Sequence, residues 1–224
     1  MDNDPILIAE NLSKSFFEQR EIEVLKEVCL TLYPGESLAI TGPSGVGKST
    51  LLHVLGTIER PCSGSLQIAG QNALTPDAAL IRNRHIGFIF QNFNLLPDYT
   101  ALENVLMPGK IARKPMKKDS SFIDKAHTLL KQVSLLDRID CLARHLSGGE
   151  KQRVAIARAL YNDPDIILAD EPSGNLDDKQ SSMIHTLLLT LTEQTGKALI
   201  IVTHDQALAS LCHRKLFLKN ARLI

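Results

Sequence analysis

The chain has 224 residues, with 25 Lys and Arg against 25 Asp and Glu, so its formal net charge is zero. A neutral chain has no general electrostatic hold on nucleic acid or on an anionic bilayer. Aromatic residues make up 4% and Trp is absent, which argues against base stacking; no nucleic-acid partner is expected. No apolar run approaches the ~18 residues of a membrane span. The opening MDNDPILIAE has no basic region leading into a long apolar stretch, so no signal peptide is expected.

In chain order, Pro5 to Leu12 reads as a strand, and Val24, Val28, Leu30 and Leu32 alternate with polar residues as in a half-buried strand that ends at Pro34-Gly35. Ser37 to Thr41 is a short apolar strand followed by a glycine-rich loop and a helix carrying Leu51, Leu52 and Leu55. Ser65 to Ala69 and Ile86 to Phe90 are further strand candidates. From about Asn92 to Arg144 the pattern is largely helical, with Phe122, Ala126, Leu129, Leu130 and Val133 on one face of a helix over 121–133. Within this stretch Lys110 to Lys118 reads as a solvated basic loop. A helix after Ser147 carries Val154, Ala157 and Leu160. The apolar run Asp165 to Ala169 suits a strand buried on both faces, a helix follows with Ile184, Leu187, Leu188 and Leu191, and Leu199 to Thr203 is a second buried strand. Leu216 to Leu218 is a last candidate strand. Such alternation predicts an α/β fold with a mainly parallel core sheet and an inserted helical lobe. Cys29, Cys62, Cys141 and Cys212 have no C-x-x-C spacing and are expected to be buried, reduced thiols.

Three motifs carry chemistry. Gly42-Pro43-Ser44-Gly45-Val46-Gly47-Lys48-Ser49-Thr50 fits G-x-x-x-x-G-K-(S/T) directly after an apolar strand and at the start of a helix, the context a phosphate-cradling P-loop requires. Lys48 is placed to reach the β/γ-phosphates of a nucleotide and Ser49 to ligate Mg²⁺. Next, the apolar strand Ile166 to Ala169 ends in Asp170-Glu171-Pro172. Ligands gather at the carboxyl ends of parallel strands, which puts Asp170 in reach of Mg²⁺ and lets Glu171 act as a base on an attacking water. Last, in Leu146-Ser147-Gly148-Gly149-Glu150 the Ser and Glu form a capping box. The two glycines weaken the first turn, which a cap alone does not require, and suit close approach of a ligand to Ser147, Gly148, Gly149 and Glu150.

These motifs, in this order and over nearly the whole chain, resemble the ATP-binding subunits of ABC transporters. Leu146 to Glu150 is similar to that family's signature. The resemblance implies a single domain over 1–224: a core of 1–91 and 145–224 with an N-terminal antiparallel β subdomain, and a helical lobe of 92–144. It implies that Phe16, or the adjacent Phe17 if the register slips, stacks on adenine, that Gln91 contacts Mg²⁺ and links to a membrane partner, that Gly174 to Asp177 is the D-loop with Asp177 near the nucleotide, and that His204 is the switch histidine acting with Glu171. The implied assembly is a homodimer packed head to tail, with ATP between Lys48 of one subunit and Ser147 and Gly149 of the other, driving integral membrane permease subunits. Gln91 to Val105 and Glu171 to Asp177 resemble one subgroup, which comprises the ATPases of lipoprotein release, macrolide efflux and cell division. Leu96-Pro97-Asp98-Tyr99-Thr100 to Val105 is most similar to the lipoprotein-releasing branch, which implies LolC/LolE-like permeases and a peripheral place on the cytoplasmic face of the inner membrane. Phe93, Leu95, Leu96 and Tyr99 are expected to line the groove that receives the permease.

Overall fold

The computed structural model describes residues 4–17, 20–113 and 121–224. The chain runs β1 (Leu7–Phe17), β2 (Glu21–Leu32), β3 (Ser37–Thr41), α1 (Lys48–Leu55), β4 (Ser63–Ile68), β5 (Gln71–Asn72), α2 (Ala78–His85) and β6 (Ile86–Ile89). It continues through α3 (Ala101–Ile111), α4 (Ser121–Gln132), α5 (Gly148–Leu160), β7 (Ile166–Asp170), α6 (Asp178–Thr195), β8 (Ala198–Val202), α7 (Gln206–Ser210), β9 (Arg214–Lys219) and β10 (Arg222–Leu223). Two sheets result. One is antiparallel, in the order β2-β1-β4-β5, and the other is six-stranded, in the order β10-β9-β3-β8-β7-β6. In the second, β9, β3, β8, β7 and β6 are parallel and only β10 runs against its neighbour.

Residues of β3, β7 and β8 are buried throughout, because both faces of the parallel sheet are covered. The two-residue period of a strand divides them between two cores. Leu38, Ile40, Ile166, Leu168, Ile200 and Val202 pack with α1 and the antiparallel sheet. Ile167, Ala169, Leu199 and Ile201 face the other way and pack with α3, α4, α5 and α6. The helical stretch thus shares its core with the sheet rather than forming one of its own.

Several expectations are corrected. The first two strands are longer than read, because pairing of Phe16 with Ile22 and of Phe17 with Glu21 continues the hairpin beyond the buried positions. Helix α2 has no apolar stripe, only Ile81 and His85 being buried, and gave no periodic signal. Short β5, β10 and α7 likewise carry no periodic signal. Lys110 lies in the last turn of α3, whose capping box of Thr100 and Glu103 starts the helix; residues 114–118 of the expected basic loop lie outside the described residues. All four cysteines are free thiols, but Cys29 and Cys62 are exposed and Cys141 and Cys212 only half-buried. Cys29 lies between Val28 and Leu30, which face inward, so the alternation of β2 turns it outward. Among the described residues no helix is long and apolar enough to cross a membrane.

Candidate functional site

Four parallel strands deliver the predicted site residues to one edge of the sheet. The glycine loop follows β3, Gln91 follows β6, Asp170 and Glu171 close β7, and His204 follows β8. This is the carboxyl edge, where open α/β sheets bind ligands.

The glycine loop turns through Gly42, Gly45 and Gly47 at φ of 154°, 74° and 104°, which L side chains rarely adopt. Space forbids a side chain at two of them as well. A Cβ on Gly42 would sit 2.5 Å from the Leu218 carbonyl oxygen, and one on Gly47 would sit 2.4 Å from Val24 Cγ1. Gly47 is also the N-cap of α1. It offers no side-chain cap, and the first turn has no acidic residue. The leading N–H groups of α1, including those of Ser49 and Thr50, are therefore left to an anion, and the helix dipole adds positive potential there. Pro43, Ser44 and Val46 complete the loop, and Val46 packs on the core. Lys48 is buried, with Nζ donating to the carbonyls of Gly42 and Pro43 at 2.9 Å each. Those bonds hold its ammonium against the loop that would surround a phosphate.

Ser49 Oγ donates to Asp170 Oδ1 at 3.0 Å, bringing together a hydroxyl and a carboxylate from α1 and β7. Asp170 is 8% exposed, and burial raises its pKa, opposed by the bond from Ser49. A carboxyl with a raised folded pKa binds its proton more tightly than in the unfolded chain. Stability is then lost as pH rises through the folded pKa, and the ionised group is a cost at neutral pH. Asp170→Asn is therefore expected to raise the melting temperature of the nucleotide-free chain at neutral pH and to abolish ATP turnover. Scanning calorimetry beside an ATPase assay checks both.

Glu171 has φ of 43°, a left-handed conformation that is strained for a residue with a side chain. Its N–H donates to the Val202 carbonyl at 2.9 Å, and its own carbonyl accepts from Gly174 N–H at 3.0 Å. The turn aims its carboxylate at the end of β8. There Oε2 accepts from Thr203 Oγ1 at 3.2 Å and from the His204 N–H at 3.3 Å, and lies 2.8 Å from His204 Nδ1. The carboxylate is mostly buried while the His204 side chain is 72% exposed, so the imidazole reaches outward from the pair.

Gln91 is exposed, and its Nε2 would be 3.2 Å from a Cβ on Gly174. Asn175 Nδ2 donates to the Gln91 carbonyl at 2.9 Å and to Asn92 Oδ1 at 3.2 Å, joining the segment after β6 to the loop after β7. Asp177 is the N-cap of α6, accepting from the N–H and Nε2 of Gln180 at 2.8 Å each.

Ser147 caps α5 in a complete capping box: its Oγ accepts from Glu150 N–H at 3.3 Å, and Glu150 Oε2 accepts from Ser147 N–H at 2.8 Å. That backbone bond is the main cause of the lowered Glu150 pKa, and Arg138 Nε lies 3.0 Å from Glu150 Oε1. The carboxylate's charge is thus neutralised locally. The Gly148 and Gly149 N–H groups and the Ser147 hydroxyl proton take no part in the box. The glycines also lie close to the D-loop side. A Cβ on Gly148 would be 3.2 Å from Leu176 Cδ2, and one on Gly149 2.4 Å from Gln180 Oε1. The second contact is with the end of a flexible side chain, so packing alone is a weak reason for glycine at 149.

Phe16 and Phe17 lie on opposite faces of β1. Phe16, opposite Ile22, is 39% exposed, with Lys14 Nζ 4.9 Å from its ring centroid; Phe17, opposite Glu21, is 81% exposed.

Two features had no signal in the sequence. Thr203 donates to Glu171 while accepting from Asp205 N–H at 3.0 Å, tying the carboxylate to the start of α7. Arg158 of α5 donates to the carbonyls of Phe93 at 2.7 Å and Asn94 at 2.5 Å, both residues being in left-handed conformation. A cavity of about 390 Å³ opens between α2, β6, α3 and α5, with Ile58, Phe88, Phe90, Met107 and Ile111 among its lining residues. Leu96 and Tyr99 do not line it, and Phe93 and Leu95 line a separate hollow beside Pro97, Arg144 and Lys151. Arg158 pulls the backbone of 93–94 inward, and Leu95 packs on the core of the helical region.

A phosphate-cradling loop, a hydroxyl–carboxylate pair and a carboxylate–histidine pair on one sheet edge define a P-loop nucleoside-triphosphatase fold and site. Comparison with known proteins narrows the class. The family profile described as "ABC transporter" matches residues 25–174. The lipoprotein-releasing system ATP-binding protein LolD of Protochlamydia amoebophila is 50% identical over 218 residues, covering 97% of this chain and 96% of that protein. LolD 2 of Rhodospirillum rubrum is 46% identical over 224 residues, covering 98% and 96%. Among solved structures, the dimeric structure of a bacterial ABC transporter cassette matches with a TM-score of 0.88 at 39% identity, covering 97% of this chain and 96% of that one. A post-hydrolysis state of the same cassette, bound to ADP and Pi, matches with a TM-score of 0.86 at 38% identity and the same coverage. The chain belongs to the ABC transporter family, as an ATP-binding cassette subunit that hydrolyses ATP.

Proposed function

We propose that two copies of this chain close head to tail around two ATP molecules, and that the resulting motion drives membrane subunits that release lipoproteins from the inner membrane towards the outer membrane. The observation that carries the catalytic part is the Glu171–His204 contact of 2.8 Å on the edge that also presents Lys48 and Ser49. The cargo rests on similarity to the LolD proteins.

In this reading the loop of Gly42 to Thr50 wraps the phosphates, Lys48 exchanges its carbonyl bonds for β/γ-oxygens, and Phe16 lays its ring against adenine. Phe16 suits this better than Phe17, since its strand partner Ile22 is two residues from Val24, which packs on Gly47 of the loop. Ser49 and Asp170, already in contact, would hold Mg²⁺, with Gln91 approaching from the next strand; one hydroxyl and one carboxylate beside the triphosphate suit that ion's preference for few protein ligands. Bound there, Mg²⁺ neutralises developing phosphate charge. Glu171 takes a proton from the attacking water, and His204 orients that carboxylate and donates outward to the γ-phosphate. The second subunit supplies the Ser147 hydroxyl and the Gly148 and Gly149 N–H groups at the opposite face of the triphosphate, while Glu150 keeps their turn capped and Asp177 fixes the start of α6 beside them. The γ-phosphate then bridges the subunits, and its loss removes the differential affinity that holds them closed.

The whole chain serves as one cassette, with 92–144 as its helical lobe. It sits as a peripheral subunit on the cytoplasmic face of the inner membrane, and the groove beside α2 and α3 takes a permease segment. Affinity purification from detergent-solubilised membranes tests the partner. Two related LolC/LolE-like membrane subunits are expected. A single efflux-type or division-type subunit would leave the ATPase in place and overturn the lipoprotein cargo.

A further inference from the structure

His185 has no part in the site as described, yet it is only 6% exposed, in the stretch of α6 where Ile184 and Leu188 enter the core. A polar side chain buried there needs a hydrogen-bond partner to offset its lost hydration. That partner is Ser173, in the turn after β7: His185 Nε2 lies 2.7 Å from Ser173 Oγ, and Ser173 is itself 9% exposed. The same nitrogen lies 3.8 Å from Asp205 Oδ2, in the turn after β8. That distance is too long for a hydrogen bond. A carboxylate so near nevertheless favours a proton on Nε2, so the imidazole donates to Ser173. Burial lowers the His185 pKa, opposed by Asp205, and the ring is neutral at neutral pH.

These contacts close a ring. Glu171 accepts from Thr203 Oγ1, which accepts from Asp205 N–H; Asp205 faces His185, and His185 holds Ser173, two residues beyond Glu171. Both turns in the ring are braced. In the first, Gly174 N–H donates to the Glu171 carbonyl and Leu176 N–H to the Ser173 carbonyl, each at 3.0 Å. In the second, Asp205 Oδ1 caps α7, accepting from Ala207 N–H at 2.7 Å and Leu208 N–H at 3.1 Å. We propose that His185 is a positioning residue for hydrolysis, pinning the turn that carries Glu171 to the turn that carries His204 and so holding the Glu171–His204 contact at 2.8 Å. This rests on the reading of Glu171 as the base. The left-handed backbone of Glu171, at φ 43°, is strained and persists only where its surroundings fix it, and Ser173 is an anchor two residues on. His185 acts from within the core, through Ser173, so its effect falls on turnover and not on ATP binding.

Two substitutions separate positioning from packing. His185→Leu keeps a side chain of similar size and removes the bond. His185→Gln keeps a donor, since its amide nitrogen stands as many bonds from Cβ as the imidazole Nε2 does. Steady-state ATP hydrolysis and thermal melts of the whole chain are measured for each, beside Glu171→Gln. His185→Leu is expected to lower kcat by about tenfold with KM for ATP changed by less than about twofold, because a displaced base slows the chemical step and leaves binding alone. His185→Gln should recover kcat to within about threefold of the unsubstituted chain, as the donor is restored. Ser173→Ala removes the other end of the bond, so combined with His185→Leu it should lower kcat no further than either change alone. An unchanged kcat in His185→Leu, with Glu171→Gln inactive, would overturn the role of His185 and leave the base in place. Equal losses in the Leu and Gln variants, or losses that follow the melting temperature, would reduce His185 to core packing and overturn it too. Hydrolysis by Glu171→Gln at the unsubstituted rate would remove the base itself, and this inference with it.

Discussion

Replacing Glu171 with Gln is expected to abolish steady-state ATP hydrolysis, by about 10²- to 10⁴-fold, the usual contribution of a positioned general base. ATP binding should survive. Gln keeps the shape of the side chain and an oxygen that can accept from Thr203 and the His204 N–H, so the strained turn at φ 43° keeps its anchors. The amide cannot take a proton from water at neutral pH. A chain that binds ATP without consuming it should accumulate as an ATP-bound dimer, visible by size-exclusion chromatography with light scattering. Hydrolysis near the rate of the unsubstituted chain would mean that Glu171 is not the base.

Gly42→Ala carries the second large effect, and it acts on fold and site together. The new methyl group would lie 2.5 Å from the Leu218 carbonyl oxygen, a backbone atom of β9, at a φ of 154°. Neither β9 nor the loop can yield without disturbing the β3–β9 pairing that runs from Leu38 to Thr41. Strain and overlap together should cost about 2–3 kcal/mol, or about 5–10 °C in melting temperature for a chain of this size. ATP affinity should fall by more than about tenfold as the loop loses its shape, since a misplacement worth only ~1.4 kcal/mol is enough for that. Gly45→Ala is the control: φ is 74° there, but no atom lies within 4 Å of the added Cβ, so strain acts without overlap and the loss should be smaller. Thermal melts and nucleotide titration of the two variants make the comparison.

What the sequence disclosed was what neighbours in the chain dictate. The P-loop is legible because its glycines, lysine and hydroxyl are consecutive and each answers a local demand, of φ, space or charge. Asp170 and Glu171 are legible because a strand buried on both faces must end before it can present two carboxylates. The buried strands at 166–170 and 198–202 are legible because neither face meets water. Helix α2 was not, because a helix with two buried residues leaves no period to count. Cys29 is exposed against the burial expected of a free thiol because the alternation of Val28, Leu30 and Leu32 points it outward. The cavity beside α2 had no local signal because its walls come from α2, β6, α3 and α5, and Arg158 fixes the 93–94 backbone from more than sixty positions away. Thr203 and Arg158 hold functional geometry through contacts that no local pattern encodes.

In the proposed dimer each ATP site is shared, with Lys48 from one subunit and the Ser147 turn from the other. Mixing two inactive variants tests it most directly. Lys48→Ala loses the phosphate lysine and Ser147→Arg blocks the opposing helix end, so homodimers of either have no intact site. A heterodimer places both lesions in one site and leaves the other whole. A 1:1 mixture is expected to hydrolyse ATP well above the sum of the two variants measured alone, with ATP-dependent dimers forming only in the mixture. Activity of the mixture equal to that sum, with no such dimers, would contradict it.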